Sequence, residues 1–555
     1  MTKRKPKLDL IVPYSIIYGE KPLENRMKYV ENIPKDVLIL EIAALNARLK
    51  PVDKISPNER LEFQYEQLAF FCGSDDSLYE EYVKLVYFAV ENIEPGLKSY
   101  KIFTRQANLI ALDEIIRQGP NLPPKGYKLS RDDRINILKY YFSINEFIAP
   151  IEIELDQDYS LEENHVSIQL FMDELSVYLN PIKSVERLIY WLKIIIPNPD
   201  YSKFIGSYFN PIGFDINTFL TVIFSLQVKR NMPHGLDIVY ALNGSINPLK
   251  REVFEKLSCR TLATPIHCYD ISEIRIGPLY KMKDGKFLIL DYILLMEKCY
   301  EQFINDFFNT YLVHNGIEFS EYRGGFGNFF EHYVSQKFIN IFERNRYYVK
   351  LYLDQLKINT TKGEIEVADV YIRDNKKVFI AQVKSNGLRN IQFSGKPKDL
   401  FTDSSGNDKE FLYKNFGLFQ LIKSIEYLRD NSILFDPSFP SETKVDIYPA
   451  LIINEKMFHT PLFSQLMETQ FRKNLDESLF PFFNIRKLTV FHIEDLERIE
   501  DHFTEKRENF WKLLREHHKN NIITPPMTFT LNRLKVKSKV NFEPNFIEYL
   551  DFEEE

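Results

Sequence analysis

The residues that could do chemistry lie in KGEIEVADVYIRDNKKVFIAQVKSNG, residues 362–387. They are Asp369, Gln382 and Lys384. The run 377–384 alternates as a strand does, sending Val378, Ile380, Gln382 and Lys384 to one face and Phe379, Ala381 and Val383 to the other. The run before it, about 364–373, reads as its antiparallel partner across the polar turn RDNKK (373–377), with Asp369 on the same side as Ile365, Val367 and Tyr371. A carboxylate, an amide and an ammonium then meet at one sheet end. Charges on an apolar face are costly unless they are paired or hold a metal. Phosphodiester hydrolysis wants such a set: hard oxygens for Mg²⁺, which keeps several waters, an ordered water for in-line attack, and a cation beside the developing charge. Asp369 would be the anionic ligand. Gln382 would supply or position a neutral oxygen. Lys384 would orient the water or stabilise the charge on phosphorus. Glu331, in GNFFEHYV (327–334), is the candidate second acid.

Each of these residues also has a purely structural reading. Asn328 and Glu331 fit a variant of the helix capping box. Asp369 can end a strand or pair with a lysine, Lys384 can snorkel from a strand end, and Gln382 can be a satisfied buried amide. Glu364 and Glu366 read as a solvated face and enter the site only if a β-bulge swaps the parity. In the loop SNGLRNIQFSGKPKDLF (385–401), Arg389, Lys396 and Lys398 are either phosphate contacts or ordinary surface. Gln420, on the helix that follows, is a further weak candidate. Arg323-Gly-Gly-Phe-Gly327 reads as a Gly-rich helix entrance; it lacks the lysine and serine of a P-loop.

Asp369, the triplet Gln382-Val383-Lys384 thirteen residues on, and the G-x-x-x-E segment Gly327–Glu331 together resemble the PD-(D/E)xK nuclease superfamily over residues 320 to 500. The Q-x-K form is similar to that of Mrr-like restriction endonucleases. The resemblance implies a restriction-endonuclease-like α/β core and dependence on Mg²⁺ or Mn²⁺ held by Asp369, Glu331 and Gln382. It implies a nucleic acid partner, DNA or less often RNA, and by analogy restriction or anti-phage defence. Some branches of the family place a glutamine and a tyrosine four residues apart on the next helix; here Gln420 is followed by Ser424. The carboxylate missing at Gln382 leaves a second reading, a catalytically degenerate nucleic-acid-binding or scaffold module. A third is a module that serves only protein partners.

These residues need a scaffold, and the pattern supplies an α+β multidomain chain. Amphipathic helical periodicity dominates from about 35 to 270, for example 36–49, 59–72, 76–93 and 184–196. Residues 1–270 are expected to form a mostly helical recognition or regulatory region, through which a homo-oligomer or a protein partner could form. Asp284-Gly285 marks a hairpin, and a helix over 293–312 follows, giving a connector over 271–319. A mixed α/β layer domain is expected over 320–525, with helices at 409–430 and from 494 and strands at 445–455 and 486–493. Over 526–555, LNRLKVKSKV (531–540) reads as a basic strand before an acidic tail.

The 555 residues are 44% hydrophobic and 27% charged, as in globular proteins. A net charge of −7 does not mark a basic nucleic-acid-binding chain, although a basic cleft can sit on an acidic protein. The four cysteines form no C-x-x-C pair, which argues against a cysteine zinc site or a disulfide framework. No segment approaches the roughly 20 apolar residues of a membrane span, so no membrane partner is expected and a reducing cytoplasm is the expected compartment.

Overall fold

The computed structural model describes residues 10–536, apart from 50–60, 94–99, 149–154, 174–179, most of 196–247, 260–270 and the loop positions 345–347, 361–362, 389–391, 393, 404, 407, 506–508 and 520–522. It is a mixed α and β structure. The chain divides into two compact units, Met1–Glu154 with Gly206–Asp306, and Leu155–Ile205 with Phe307–Glu555. This division runs along different lines from boundaries at 270, 319 and 525, because residues 155–205 belong with the C-terminal segment.

The first unit is helical, as its periodicity predicts. Helices span Lys35–Arg48, Leu61–Cys72, Asp76–Ile93, Arg105–Gln118 and Arg131–Ile148. The hairpin at Asp284-Gly285 forms between strands Leu279–Lys281 and Phe287–Ile289, with Gly285 at φ +82°, a conformation favouring glycine. The single helix expected over 293–312 is broken. Asp291 caps Tyr292–Glu297 through the Leu294 amide, Glu301–Phe307 follows, and Phe308–Leu312 forms a π-helical turn.

The second unit holds the candidate site. Its helices are α1 (Leu161–Asp173), α2 (Pro181–Ile195), α3 (Phe319–Ile341), α4 (Leu418–Phe435), α5 (Pro461–Asn474), α6 (Ile493–Glu505) and α7 (Phe510–His518). Its strands are β1 (Val349–Tyr352), β2 (Lys357–Thr360), β3 (Gly363–Glu366), β4 (Val370–Asp374), β5 (Lys377–Lys384), β6 (Val445–Ile453), β7 (Phe483–Ile485) and β8 (Thr489–His492). The six-stranded sheet runs β7-β6-β5-β4-β1, with β8 also paired to β6. β5, β6, β7 and β8 are parallel where they pair; β4 is antiparallel to β5 and to β1.

The alternation of β5 decides what covers each face. Val378 and Ile380 join the core made with α4 and α5, through residues such as Leu421, Ile425 and Leu466. Phe379 points the other way, against Phe338 of α3, Phe491 of β8 and Phe510 of α7. Helices thus cover both sheet faces, as parallel pairing requires. The functional positions at the C-terminal end of β5 lie between these layers.

Three expectations change. The Gly-rich segment 323–327 is not a loop but part of α3, whose ring stripe of Tyr322, Phe326, Phe329, Phe330, Tyr333 and Phe338 is buried. Glycine costs a helix up to about 1 kcal/mol per residue, and burying each large ring offsets more than that. The run 364–373 is not one strand. β3 pairs only with β2 in a separate two-stranded sheet, and β4 begins at Val370. The basic strand expected from 531 does not form in the described part: the helix Met527–Arg533 occupies it, and residues from 537 on lie outside the described residues. In the polar run Arg515-Glu516-His517-His518, His517 is buried and His518 half-buried. α7 packs on the sheet, where His517 meets the Thr530 hydroxyl at 2.8 Å and His518 that of Thr489 at 2.9 Å.

Candidate active site

Asp369 sits where the β4 ladder stops. The last paired positions are Val370 and Ala381, so Asp369 and Gln382 lie one residue beyond them. The Asp369 backbone still bonds both neighbours, its N–H donating to the Ala381 carbonyl and its carbonyl accepting from the Leu353 amide; the chain before it turns away, where Val367 N–H donates to the Leu356 carbonyl. The Asp369 carboxylate stands in for the missing strand, with Oδ2 accepting the Val383 N–H at 2.6 Å. The register agrees with the alternation: Tyr371 is paired with Ile380, and the next positions in line are Asp369 and Gln382. The end of the ladder beside it is what frees the Asp369 carboxylate to meet the Val383 amide.

Asp369 is only 3% exposed. Burial pushes its carboxyl up to about 6, against the opposing pull of the Lys384 charge and the Val383 amide. Glu331, half-buried on α3, is pushed up to about 7, first by burial and then by the charge of Asp369, with Lys384 opposing. Asp369, Glu331 and Lys384 thus share one electrostatic site although they come from three elements. The capping role for Glu331 falls away, because Asn328 is inside α3, whose N-cap is Glu318. Glu364 and Glu366 are exposed on β3, yet the Glu366 charge still raises both Asp369 and Glu331.

Lys384 reaches the site over a glycine. Gly417 begins α4 at φ +77°, and a Cβ there would stand 2.8 Å from Lys384 Cε and 3.2 Å from its Cγ. Both the backbone conformation and the passage of the lysine chain require glycine. The Asn386 side-chain amide holds this turn by donating to the Asn415 carbonyl at 2.8 Å. Lys384 forms no direct ion pair among the described residues, and its charge acts on the two acids from a distance.

Gln382 is buried and its amide nitrogen donates to Ser424 Oγ on α4 at 3.0 Å. Gln420 is exposed; its side-chain oxygen lies 3.5 Å from the place of a Gly417 Cβ, beside Lys384. Lys396 and Lys398 are exposed around the start of the short helix Pro397–Phe401, and no contact brings them to the acids. Arg389 lies outside the described residues. Sequence reasoning missed Gly417 and Ser424. The available signal for Gly417 was a glycine between two helical runs, and for Ser424 a small polar residue on the buried stripe of an amphipathic helix.

Among the described residues no three His, Cys, Asp or Glu side chains come together as a ready-made metal-holding group. The donor set at β5 is two carboxylates and one amide. Asp369 and Glu331 offer hard oxygen donors, and the pull of the Lys384 charge does not cancel the cost of burying them. This suits a cation such as Mg²⁺, which fills most of its octahedron with water. No helix of the described residues is long and apolar enough to cross a membrane. Comparison with protein-family models, with curated proteins and with solved structures finds no match.

Proposed function

We propose that the C-terminal unit is a metal-dependent nuclease that hydrolyses phosphodiester bonds, with DNA as the first substrate to test. One observation carries this reading: the buried carboxylate of Asp369 and the half-buried one of Glu331, which the Asp369 charge raises, share the end of a central strand with Lys384, which holds no ion pair among the described residues. Structural acids in that position would be expected to hold a direct ion pair.

Glu331 and Asp369 would hold the divalent cation, with the Gln382 carbonyl as a neutral donor. Bound there, a divalent cation polarises the phosphate and raises the acidity of a coordinated water. Lys384, free of an ion pair, can hold the attacking water or meet the charge that grows on the phosphate oxygens. Gly417 keeps the path of the lysine open. The apolar faces of β5 and the helices on either side exclude bulk water and so strengthen each charge.

The test is cleavage of plasmid, linear duplex, single-stranded DNA and RNA by the purified chain with Mg²⁺, Mn²⁺ or EDTA, beside Lys384→Ala. Cutting that needs metal and is lost in the variant is the expected result. Metal-independent binding of nucleic acid without cutting would replace the proposal with the degenerate binding module that the Gln382 substitution allows.

A further inference from the structure

We propose that Ser424 is a positioning residue that dictates an amide, rather than an acid, at position 382 and fixes which end of that amide meets α4. The inference rests on the reading of Asp369, Glu331 and Gln382 as a cation site. Its basis is a chain of two hydrogen bonds. Gln382 Nε2 meets Ser424 Oγ at 3.0 Å, and Ser424 Oγ donates to the Gln420 carbonyl at 2.8 Å. A serine hydroxyl has one proton to give. Here it goes to a backbone carbonyl, which can only accept. Toward position 382 the serine oxygen can then only accept, so the partner must be a donor.

The glutamine amide meets that demand with its nitrogen end, which leaves its carbonyl oxygen outside this bond. A carboxylate at 382 would bring an acceptor against an acceptor. Both side chains are shut off from water, which would otherwise relieve a mismatch: Ser424 is 1% exposed and Gln382 6%. The Q-x-K form is then not a decayed acid-x-Lys. It is one half of a matched pair whose other half lies 42 residues on, on another element.

The pairing gives a background-dependent test. Mn²⁺ is titrated calorimetrically into the full chain, into Ser424→Ala, into Gln382→Glu, into the double variant, and into Asp369→Ala. Loss of a partner that orients a metal ligand costs about tenfold in affinity. Ser424→Ala is expected to weaken Mn²⁺ by about that factor in the natural background. In the Gln382→Glu background, where the serine oxygen opposes the carboxylate, it should bring no loss and leave affinity equal or higher. Alanine is the better helix former, so Ser424→Ala should stay folded, and melting curves check the fold of every variant. Equal losses in both backgrounds would reduce Ser424 to a packing role and overturn the inference. So would an unchanged affinity in Ser424→Ala while Asp369→Ala abolishes binding, which leaves the cation site standing. Absence of any Asp369-dependent Mn²⁺ binding in the natural chain would overturn the cation site and this inference together.

Discussion

Asp369 and Glu331 are held in a state that folding alone does not favour. Burial raises Asp369 to about 6, and burial with the Asp369 charge raises Glu331 to about 7. A carboxyl raised above its unfolded value contributes stability that is full below the ordinary carboxylate range and is lost as pH rises through the folded value. The metal-free protein is therefore penalised at neutral and alkaline pH for keeping Glu331. Glu331→Gln is expected to raise the melting temperature in EDTA at pH 8, with a smaller gain at pH 5, while removing cutting. Thermal melts at the two pH values check this; a drop at pH 8 would mark Glu331 as an ordinary structural acid. Such a trade of stability for chemistry is common at working sites. At this scale the sequence is partly legible. Asp369, Gln382 and Lys384 stand out because they interrupt apolar runs. Ser424 and Gly417 do not, because their roles arise from neighbours 42 and 33 positions away that only the fold brings near.

The elements differ in how openly they show themselves. β5 occupies 377–384 as its alternation predicts, because a buried central strand has little freedom in register. Val367-Ala368-Asp369 also looks like strand, yet the chain uses it to leave one sheet for another, with Leu353 at φ +49° in the turn that receives it. Local composition cannot report such a change of partner, since β propensity reflects a half-buried surface rather than a pairing. α3 was obscured by its glycines, which tertiary burial of the aromatic stripe overrides. α4 is anchored at both ends. Tyr371 and Arg373 of β4 bond Asp436 at its C-terminus, the Tyr371 hydroxyl at 2.7 Å, and Gly417 sets its start. Gly417→Ala is expected to cost about 1 kcal/mol or more in unfolding free energy, because of the positive φ, and to reduce cleavage at least about tenfold by displacing Lys384. Mn²⁺ binding should survive. Denaturant melts and single-turnover cleavage measure the two effects, and unchanged cleavage would show that the lysine chain does not need that passage.

At the scale of the molecule, the C-terminal unit is built from two separate stretches of chain. Arg187 of α2 and Glu497 of α6 form an ion pair at 2.8 Å in which both side chains are fully buried, and the Tyr333 hydroxyl of α3 donates to the same Glu497 oxygen at 2.8 Å. Lys183 adds a link to Asp501 at 3.1 Å, and Leu462 N–H at the start of α5 donates to Gln169 of α1. No pattern in residues 155–205 announces this, because complementary charges far apart in sequence carry no periodic signal. Removing one member of a buried pair strands the other, at about 3–5 kcal/mol, whereas replacing both with apolar residues is often nearly neutral. Arg187→Met is expected to destabilise by about that amount, and Arg187→Met with Glu497→Met to recover most of it, as read by denaturant unfolding. A double variant no better than the single would deny that the pair is what joins the two stretches.

The proposed cation site is Glu331 and Asp369, beside Lys384. The most direct measurement is anomalous diffraction from crystals of the full chain soaked in Mn²⁺, with Asp369→Ala crystals as the reference. An anomalous peak between the Glu331 and Asp369 carboxylates, absent from the variant, is the predicted result. A fully ordered site with no peak there, or with manganese only elsewhere, would contradict the account at its centre.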